Sequence, residues 1–410
     1  MNKLLSFLAD HSLHDLEIMH GVKARRSDDC SKFSLNYDQF ESKPGDEIAE
    51  LCRGVVLRPD TFAGRVLLKS DDWANSSLGK CVYLARTMKR FYNVGEAHAF
   101  SISWDSKNLH VMDKLDGTMT ALYWDDLKGS WCVATRSVSE ANLPFGVSEF
   151  ESGMFNMTFS DLFWLGYSNV ISHVRDVSFL NKEYTYVFEL TSHLNKIVVD
   201  YKRPEISLIA LIHNESGNEI DVYSDEGMRF ISAPRPKRWE LSSLSAVAAY
   251  VNSQPPDKCE GAVVYDGFGR VKIKSAAYVL AHRAKDVLDT SPVSALMSIL
   301  DGTVDDVLPL LDETIKGRFE KLREAVGSYF SHLDAVFNDA ISKTSSRKEF
   351  AIFVNASGEW TAPLFQMYKI FERDQSKMVM VSDWIESSVK NGNFSTSMCQ
   401  ELLKRISKHA

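Results

Sequence analysis

The spacing of apolar residues changes period once along this chain, and that change limits what each part can fold into. Up to about residue 285 the apolar residues come in short alternating runs. In Tyr184 to Leu190, Tyr184, Tyr186 and Phe188 share one side of a strand, and Thr185, Val187 and Glu189 share the other. From Ile315 the steps become four and three, through Phe319, Leu322, Val326, Tyr329, Leu333, Val336 and Ala340. That spacing predicts one long amphipathic helix.

Further runs fill in the first part. Leu109 to Asp113, Met119 to Trp124, Trp131 to Arg136, Ile197 to Tyr201 and Ile206 to Ile212 read as strands. Cys259 to Tyr265 and Arg270 to Ser275 flank Asp266-Gly267-Phe268-Gly269, a hairpin loop. Ser160 to Val174 reads as a helix with Ser160 as its cap. Ser291-Pro292 starts another helix, with proline preset at the first position. Ser397 with Gln400 suggests a capping box for the last helix. The expected fold class is therefore α+β over residues 1–288, followed by an all-helical domain over 289–410.

Composition excludes several classes. A chain of 410 residues with 44% hydrophobic and 25% charged residues is neither disordered nor collagen-like, and is long enough for more than one core. No stretch reaches the roughly 18 apolar residues of a membrane span. The net charge of −8 argues against a non-specific nucleic-acid coat but permits a local basic groove. Cysteines 30, 52, 81, 132, 259 and 399 are scattered without a C-x-x-C pair. They read as reduced thiols of a cytoplasmic protein.

Several strings carry chemistry. In Lys114-Leu115-Asp116-Gly117 a lysine at a strand end is a candidate nucleophile. It must be unprotonated to attack, which costs roughly 4 kcal/mol at pH 7 unless neighbours help. Lys272 and Lys274 alternate on one strand face, about 7 Å apart, a spacing that clamps phosphate. Glu189 and Glu260 sit in apolar surroundings on or beside strands, and carboxylates facing phosphate suit hydrated Mg²⁺. Arg53, before Gly54, has the fork that suits phosphate. Met88 to Asn93 mixes Arg90 with aromatic rings. Taken singly, each string is also what a solvated strand face, a structural ion pair or a packed turn looks like.

Their order is more informative. Lys114, then Glu189, then Glu260-Gly261, then Lys272-x-Lys274 is the box order of the covalent nucleotidyltransferases. The chain resembles the RNA ligase 1 family of T-even bacteriophages more closely. The strings that carry this are Phe33 to Tyr37, Cys52-Arg53-Gly54, Phe91-Tyr92-Asn93, Phe188-Glu189, Asn195 to Val198 and Lys272 to Ser275 with Tyr278 following. Asp301-Gly302-x-x-Asp305-Asp306 has a counterpart at the start of that family's helical domain. Leu35 departs from a tyrosine of the family pattern, Arg90 from a lysine, and Thr135-Arg136-Ser137 matches weakly.

The resemblance implies a ligase-type nucleotidyltransferase domain of antiparallel sheets with flanking helices. It implies ATP as the AMP donor to Lys114 and Mg²⁺ or Mn²⁺ at Glu189, Glu260 and Asp305. Tyr37, Arg53, Arg90, Glu260, Lys272 and Lys274 would hold the nucleotide. Asp116 and Tyr278 would assist catalysis. The implied partner is RNA with 5′-phosphate and 3′-OH ends, foremost tRNA nicked in its anticodon loop, bound by a monomer without a membrane. Arg235, Lys237 and Arg238 with Trp239, and the tail Lys404, Arg405 and Lys408, are candidate RNA contacts. The residues themselves favour a plainer reading, in which Thr303 caps a helix and places Asp305 and Asp306 in its first turn, where the dipole favours acids without any function. DNA ligation and mRNA capping are disfavoured, because no five-stranded barrel follows the last lysine box. An RNA-binding or assembly protein that retains the fold without catalysis is the reading from another class.

Overall fold

The computed structural model describes residues 2–143, 157–171, 176–306, 308–311, 313–373 and 380–409. In chain order the strands are β1 (Val22–Arg26), β2 (Phe33–Tyr37), β3 (Arg53–Pro59), β4 (Cys81–Ala85), β5 (His110–Lys114), β6 (Thr118–Asp125) and β7 (Ser130–Thr135). They continue with β8 (Tyr184–Thr191), β9 (Glu205–His213), β10 (Glu219–Ile220), β11 (Arg238–Trp239), β12 (Gly261–Tyr265) and β13 (Arg270–Lys274). The helices among them are α1 (Lys3–Asp10), α2 (Leu13–His20), α3 (Glu47–Leu51), α4 (Phe62–Leu68), α5 (Phe159–Val170), α6 (Asp225–Phe230) and α7 (Leu244–Asn252).

The chain divides into two compact units, Met1–Ser275 and Ala276–Ala410. The first is α+β, built from three antiparallel sheets in the orders β1-β2-β3-β4, β10-β9-β8-β6-β7 and β11-β5-β12-β13. The first two sheets bury residues on both faces, with Val56, Ala85, Ala121, Tyr123 and Ala134 in one shared cluster. The aromatic side of β8, Tyr186 and Phe188, packs with Leu162, Phe163 and Tyr167 of α5. Val271 and Ile273 pack under α7 with Val247 and Val251, so Arg270, Lys272 and Lys274 are turned to the other face. Leu4, Leu8, Leu13 and Leu16 of α1 and α2 cover the first sheet.

Two local expectations fail in this unit. The helix at 160 begins earlier, because Thr158 and Asp161 form a reciprocal cap that leaves Ser160 inside the first turn. The tail of that expected helix, 172–174, lies outside the described residues. Ile197 to Tyr201 is not a strand. The backbone N–H groups of Val198 and Val199 both donate to one Asp116 carboxylate oxygen at 2.8 Å, so they have no place in a ladder.

The second unit contains α8 (Ala276–Thr290), α9 (Pro292–Leu300), α10 (Glu313–Lys343), α11 (Arg347–Ala356), α12 (Thr361–Arg373), α13 (Val381–Lys390) and α14 (Thr396–His409), with no strand among its described residues. Its division from the first unit falls at the head of α8, whereas the change of texture in the sequence falls at that helix's end. Ser291 caps α9 with Pro292 in its first turn. The long periodic run is α10, whose Val326, Tyr329, Leu333, Phe337 and Ala340 face the core. At 301–306 the cap is Asp301, which accepts from the Thr303 backbone and hydroxyl, rather than Thr303 itself. At α14 the Ser395 hydroxyl accepts from the Met398 N–H at 3.3 Å, in place of the expected Ser397 cap.

Candidate active site

Lys114 is the last residue of β5 and is paired in register with Gly261 of β12, which is itself opposite Lys274 of β13. A Cβ on Gly261 would lie 2.0 Å from the Ile273 carbonyl oxygen, so only glycine lets the strands meet there. The preceding residue, Glu260, is thereby set between two lysines. Its carboxylate is 2.7 Å from Lys114 Nζ and 2.9 Å from Lys274 Nζ, and only 3% of the side chain is exposed. Such a pair is held firmly, because losing one partner strands a buried charge.

Lys272 lies on the same face. Burial, then the positive charges of Lys114, Lys274 and Arg53, push its ammonium down to about 8. Glu189, on β8, accepts the Gly117 backbone N–H at 3.2 Å. Burial raises its carboxyl to about 7, with Lys114 opposing and Glu260 adding to the shift. Among the described residues no cationic side chain lies within ion-pair distance of Glu189. Asp116 is 2% exposed and joins the lysine turn to the 198–199 segment through the bonds described above.

A strip from Tyr92 to Val94 runs along β13. Lys272 N–H donates to the Tyr92 carbonyl at 3.1 Å, and Val94 N–H donates to the Lys272 carbonyl at 3.0 Å. This sets the Phe91 ring between two cations, 5.0 Å from the Arg53 guanidinium and 5.7 Å from Lys272 Nζ. Arg53 Nη1 is buried without a hydrogen-bond partner. A buried guanidinium nitrogen left unpaired is costly. An anionic ligand would satisfy it. Tyr37, on β2, lies between the guanidiniums of Arg90 and Arg136, each 4.6 Å from its ring.

These residues surround a cavity of about 400 Å³. Tyr37, Arg53, Lys114, Glu189, Lys272 and Lys274 all line it, beside apolar Met112, Ile209 and Val263. Cations together with a flat apolar lining suit a molecule with both phosphate and a ring. Arg90 faces a neighbouring cavity instead. Tyr278 and Asp305 belong to the second unit. Tyr278 is buried there. Asp305 is exposed and ion-paired with Arg323. The side chain of Asp306 lies outside the described residues. Arg235, a candidate RNA contact, gives its guanidinium to the carbonyls of Val222, Gly227, Ile231 and Ala233, which is a structural use. Arg405 is likewise engaged with Glu401.

Sequence reasoning missed two lining cations. Arg136 stood only in a weak motif match, and Arg270 was read merely as part of a hairpin. The alternation that placed Lys272 and Lys274 on one face puts Arg270 there as well, and was the available signal.

A strand-end lysine on a buried carboxylate, with Glu189 and a two-lysine strand around one cavity, fits a ligase-type nucleotidyltransferase fold. The chain matches the profile of the family described as RNA ligase, of the T4 RNA ligase 1 type, over residues 52–278. It belongs to that RNA ligase family. An Autographa californica nuclear polyhedrosis virus protein, described as a bifunctional polynucleotide kinase/RNA ligase, is 25% identical over 319 residues, covering 74% of this chain. The chain spans only 41% of that relative's own length. An RNA ligase of Rhodothermus phage RM378 is 23% identical over 350 residues, covering 73% of this chain and 76% of that protein. Among solved structures, an archaeal ATP-dependent RNA ligase is 12% identical, with a TM-score of 0.42 over 77% of this chain and 78% of that one.

Proposed function

We propose that this protein is an ATP-dependent RNA ligase that joins 5′-phosphate and 3′-OH RNA ends through lysyl-AMP and adenylylated-RNA intermediates. One observation carries the reading: Lys114 opens onto a cavity whose walls hold Arg53, Lys272 and Lys274 against it. In the first step Lys114 Nζ attacks the α-phosphorus of ATP. The P–N bond forms as the bond to the β-phosphate oxygen breaks, and pyrophosphate leaves. An oxygen of the RNA 5′-phosphate then takes the AMP from Lys114. The RNA 3′-oxygen finally attacks that phosphate, forms the phosphodiester and releases AMP.

The residues have separable tasks. Lys272 and Lys274 neutralise phosphate oxygens that gain charge in the transition state. Arg53, with its unpaired nitrogen, and Tyr37 line the nucleotide's cavity, with Arg90 stacked behind Tyr37. Asp116 positions the lysine turn. Of the acids, Glu189 makes no ion pair with a lysine among the described residues and fits a hydrated Mg²⁺ or Mn²⁺, an oxygen-seeking ion. Glu260 has both oxygens on ammonium groups and would join it only by sharing them. A bound divalent ion supplies charge for the departing phosphates.

By the family resemblance, residues 1–288 carry adenylyl transfer, and the helical 289–410 selects tRNA nicked in the anticodon loop, with Tyr278 and Asp305 contributing. A cytoplasmic monomer is the state this reading assumes. The test is incubation with α-labelled ATP and Mg²⁺ beside Lys114→Ala, followed by a denaturing gel. Label on the wild type alone is expected. No label on protein first stripped with pyrophosphate would end the ligase reading and favour a binding protein of the same fold.

A further inference from the structure

A second, larger cavity of about 590 Å³ lies in the same unit and shares Met88, Phe91 and Arg270 with the Lys114 cavity. None of the chemistry assigned above needs its volume. Its walls combine cations, among them Arg86 and Lys89, with the rings of Phe100, Tyr265 and Phe268. Phe268 is 86% exposed at the tip of the β12–β13 hairpin, and Phe100 is 42% exposed. Large rings held in solvent beside cations are unusual for a wall whose only role is packing.

The backbone is shaped to hold these groups. A Cβ on Gly269 would lie 2.4 Å from the Phe100 ring, so the ring rests against bare backbone. A Cβ on Gly217 would lie 2.6 Å from Arg86 Nη1. Arg86 is fixed further by donating to the Glu215 carbonyl at 3.0 Å and by lying 4.2 Å from the Tyr83 ring. Arg270 is fixed by a two-point ion pair with Glu219. The cavity is therefore preorganised.

We infer that this cavity seats a nucleotide of single-stranded RNA, its base stacked on Phe268 and Phe100 and its phosphate near Lys89. Stacking rings interleaved with cations take any base and follow a backbone, the pattern of single-strand recognition. The shared wall at Phe91 and Arg270 makes the seat adjacent to the reactive lysine, where a strand end has to arrive. The choice of RNA rests on the ligase reading. The stacking seat itself does not.

The experiment measures two things on wild type, Phe268→Ala, Phe100→Ala and Phe268→Tyr. One is anisotropy of a fluorescent, 5′-phosphorylated single-stranded oligoribonucleotide. The other is the ATP dependence of Lys114 labelling. The expected result is an RNA affinity lowered about ten-fold by each alanine, restored by Phe268→Tyr, with labelling unchanged. Unchanged RNA affinity in both alanine variants would overturn the inference. A shift in ATP dependence alone would also overturn it, by assigning the cavity to the polyphosphate tail of ATP. If wild type takes no label yet loses RNA binding on Phe268→Ala, the ligase reading fails and the RNA seat stands. An alanine variant that does not fold is identified by its thermal transition, and the alanine at the other ring, on a different segment, then carries the test.

Discussion

Lys114 Nζ lies 2.7 Å from Glu260 Oε2, inside a carboxylate that reaches Lys274 with its other oxygen. Lys114 is thus held by a buried acid. Glu260→Gln keeps the shape and removes the charge that holds both lysines. Lys114 labelling is expected to slow by about 10²–10³-fold, the range for losing one preorganised electrostatic contact. Its thermal transition should fall as well, because both lysines lose their buried counter-charge. Rapid-quench labelling with α-labelled ATP measures this, and a wild-type rate would remove Glu260 from the machinery.

Lys272 gives the site an alkaline limit. Its ammonium is pushed down to about 8, so the cation is present below that pH and lost above it. A charged hydrogen bond of this kind is worth about 1.5–3 kcal/mol. Affinity for a non-transferable ATP analogue should therefore drop ten-fold or more between about pH 7 and about pH 9.5. In Lys272→Arg the charge persists at all these values, so the curve should be flat. Titration calorimetry at each pH checks both proteins, and parallel curves would contradict the assignment.

The residues just tested were legible in the sequence because alternation on a strand is a strict rule. Lys272 and Lys274 had to share a face, and Glu189 had to oppose Phe188. What was not legible depended on contacts between distant segments. Nothing near Ile197 says that its neighbours will bond to Asp116, 82 and 83 residues earlier. Apolar content there resembled a strand, and a buried carboxylate took the backbone instead. Helix caps failed for a milder reason, since Thr158 and Ser160, or Ser395 and Ser397, are chemically equivalent candidates two residues apart. The second cavity was invisible because its walls come from segments around residues 86–100, 217 and 268.

Glu189 links function to stability with a definite sign. Its carboxyl is raised from 4.5 to about 7, so between those values the folded protein binds more protons than the unfolded chain. Stability attributable to this group is present at low pH and is lost as pH rises toward 7. Glu189→Gln removes the loss. The variant should match wild type near pH 4.5 and exceed it at pH 8 by on the order of 1–3 kcal/mol, while losing metal-dependent labelling. Urea unfolding at the two pH values decides it, and an equal difference at both would refute the linkage.

Away from the site, Lys32 is completely buried and ion-paired to Asp125, 1% exposed, and to Glu140, 18% exposed. Oxygen and sulfur atoms of Asp125, Cys132 and Glu140 lie within 4.8 Å of one another, a spacing that also suits a metal ion. Here the lysine ammonium supplies the positive charge, with Lys128 Nζ 2.5 Å from Glu140 as a second. Lys32→Ala strands a buried carboxylate and should cost about 3–5 kcal/mol. Changing Asp125 to Asn and Glu140 to Gln in the same background should recover part of that, because no charge is then left unpaired. Passage of the wild type through a chelator should leave its urea midpoint unmoved. A midpoint that falls in chelator and returns with Zn²⁺ would show that an ion, and not Lys32, holds this corner together.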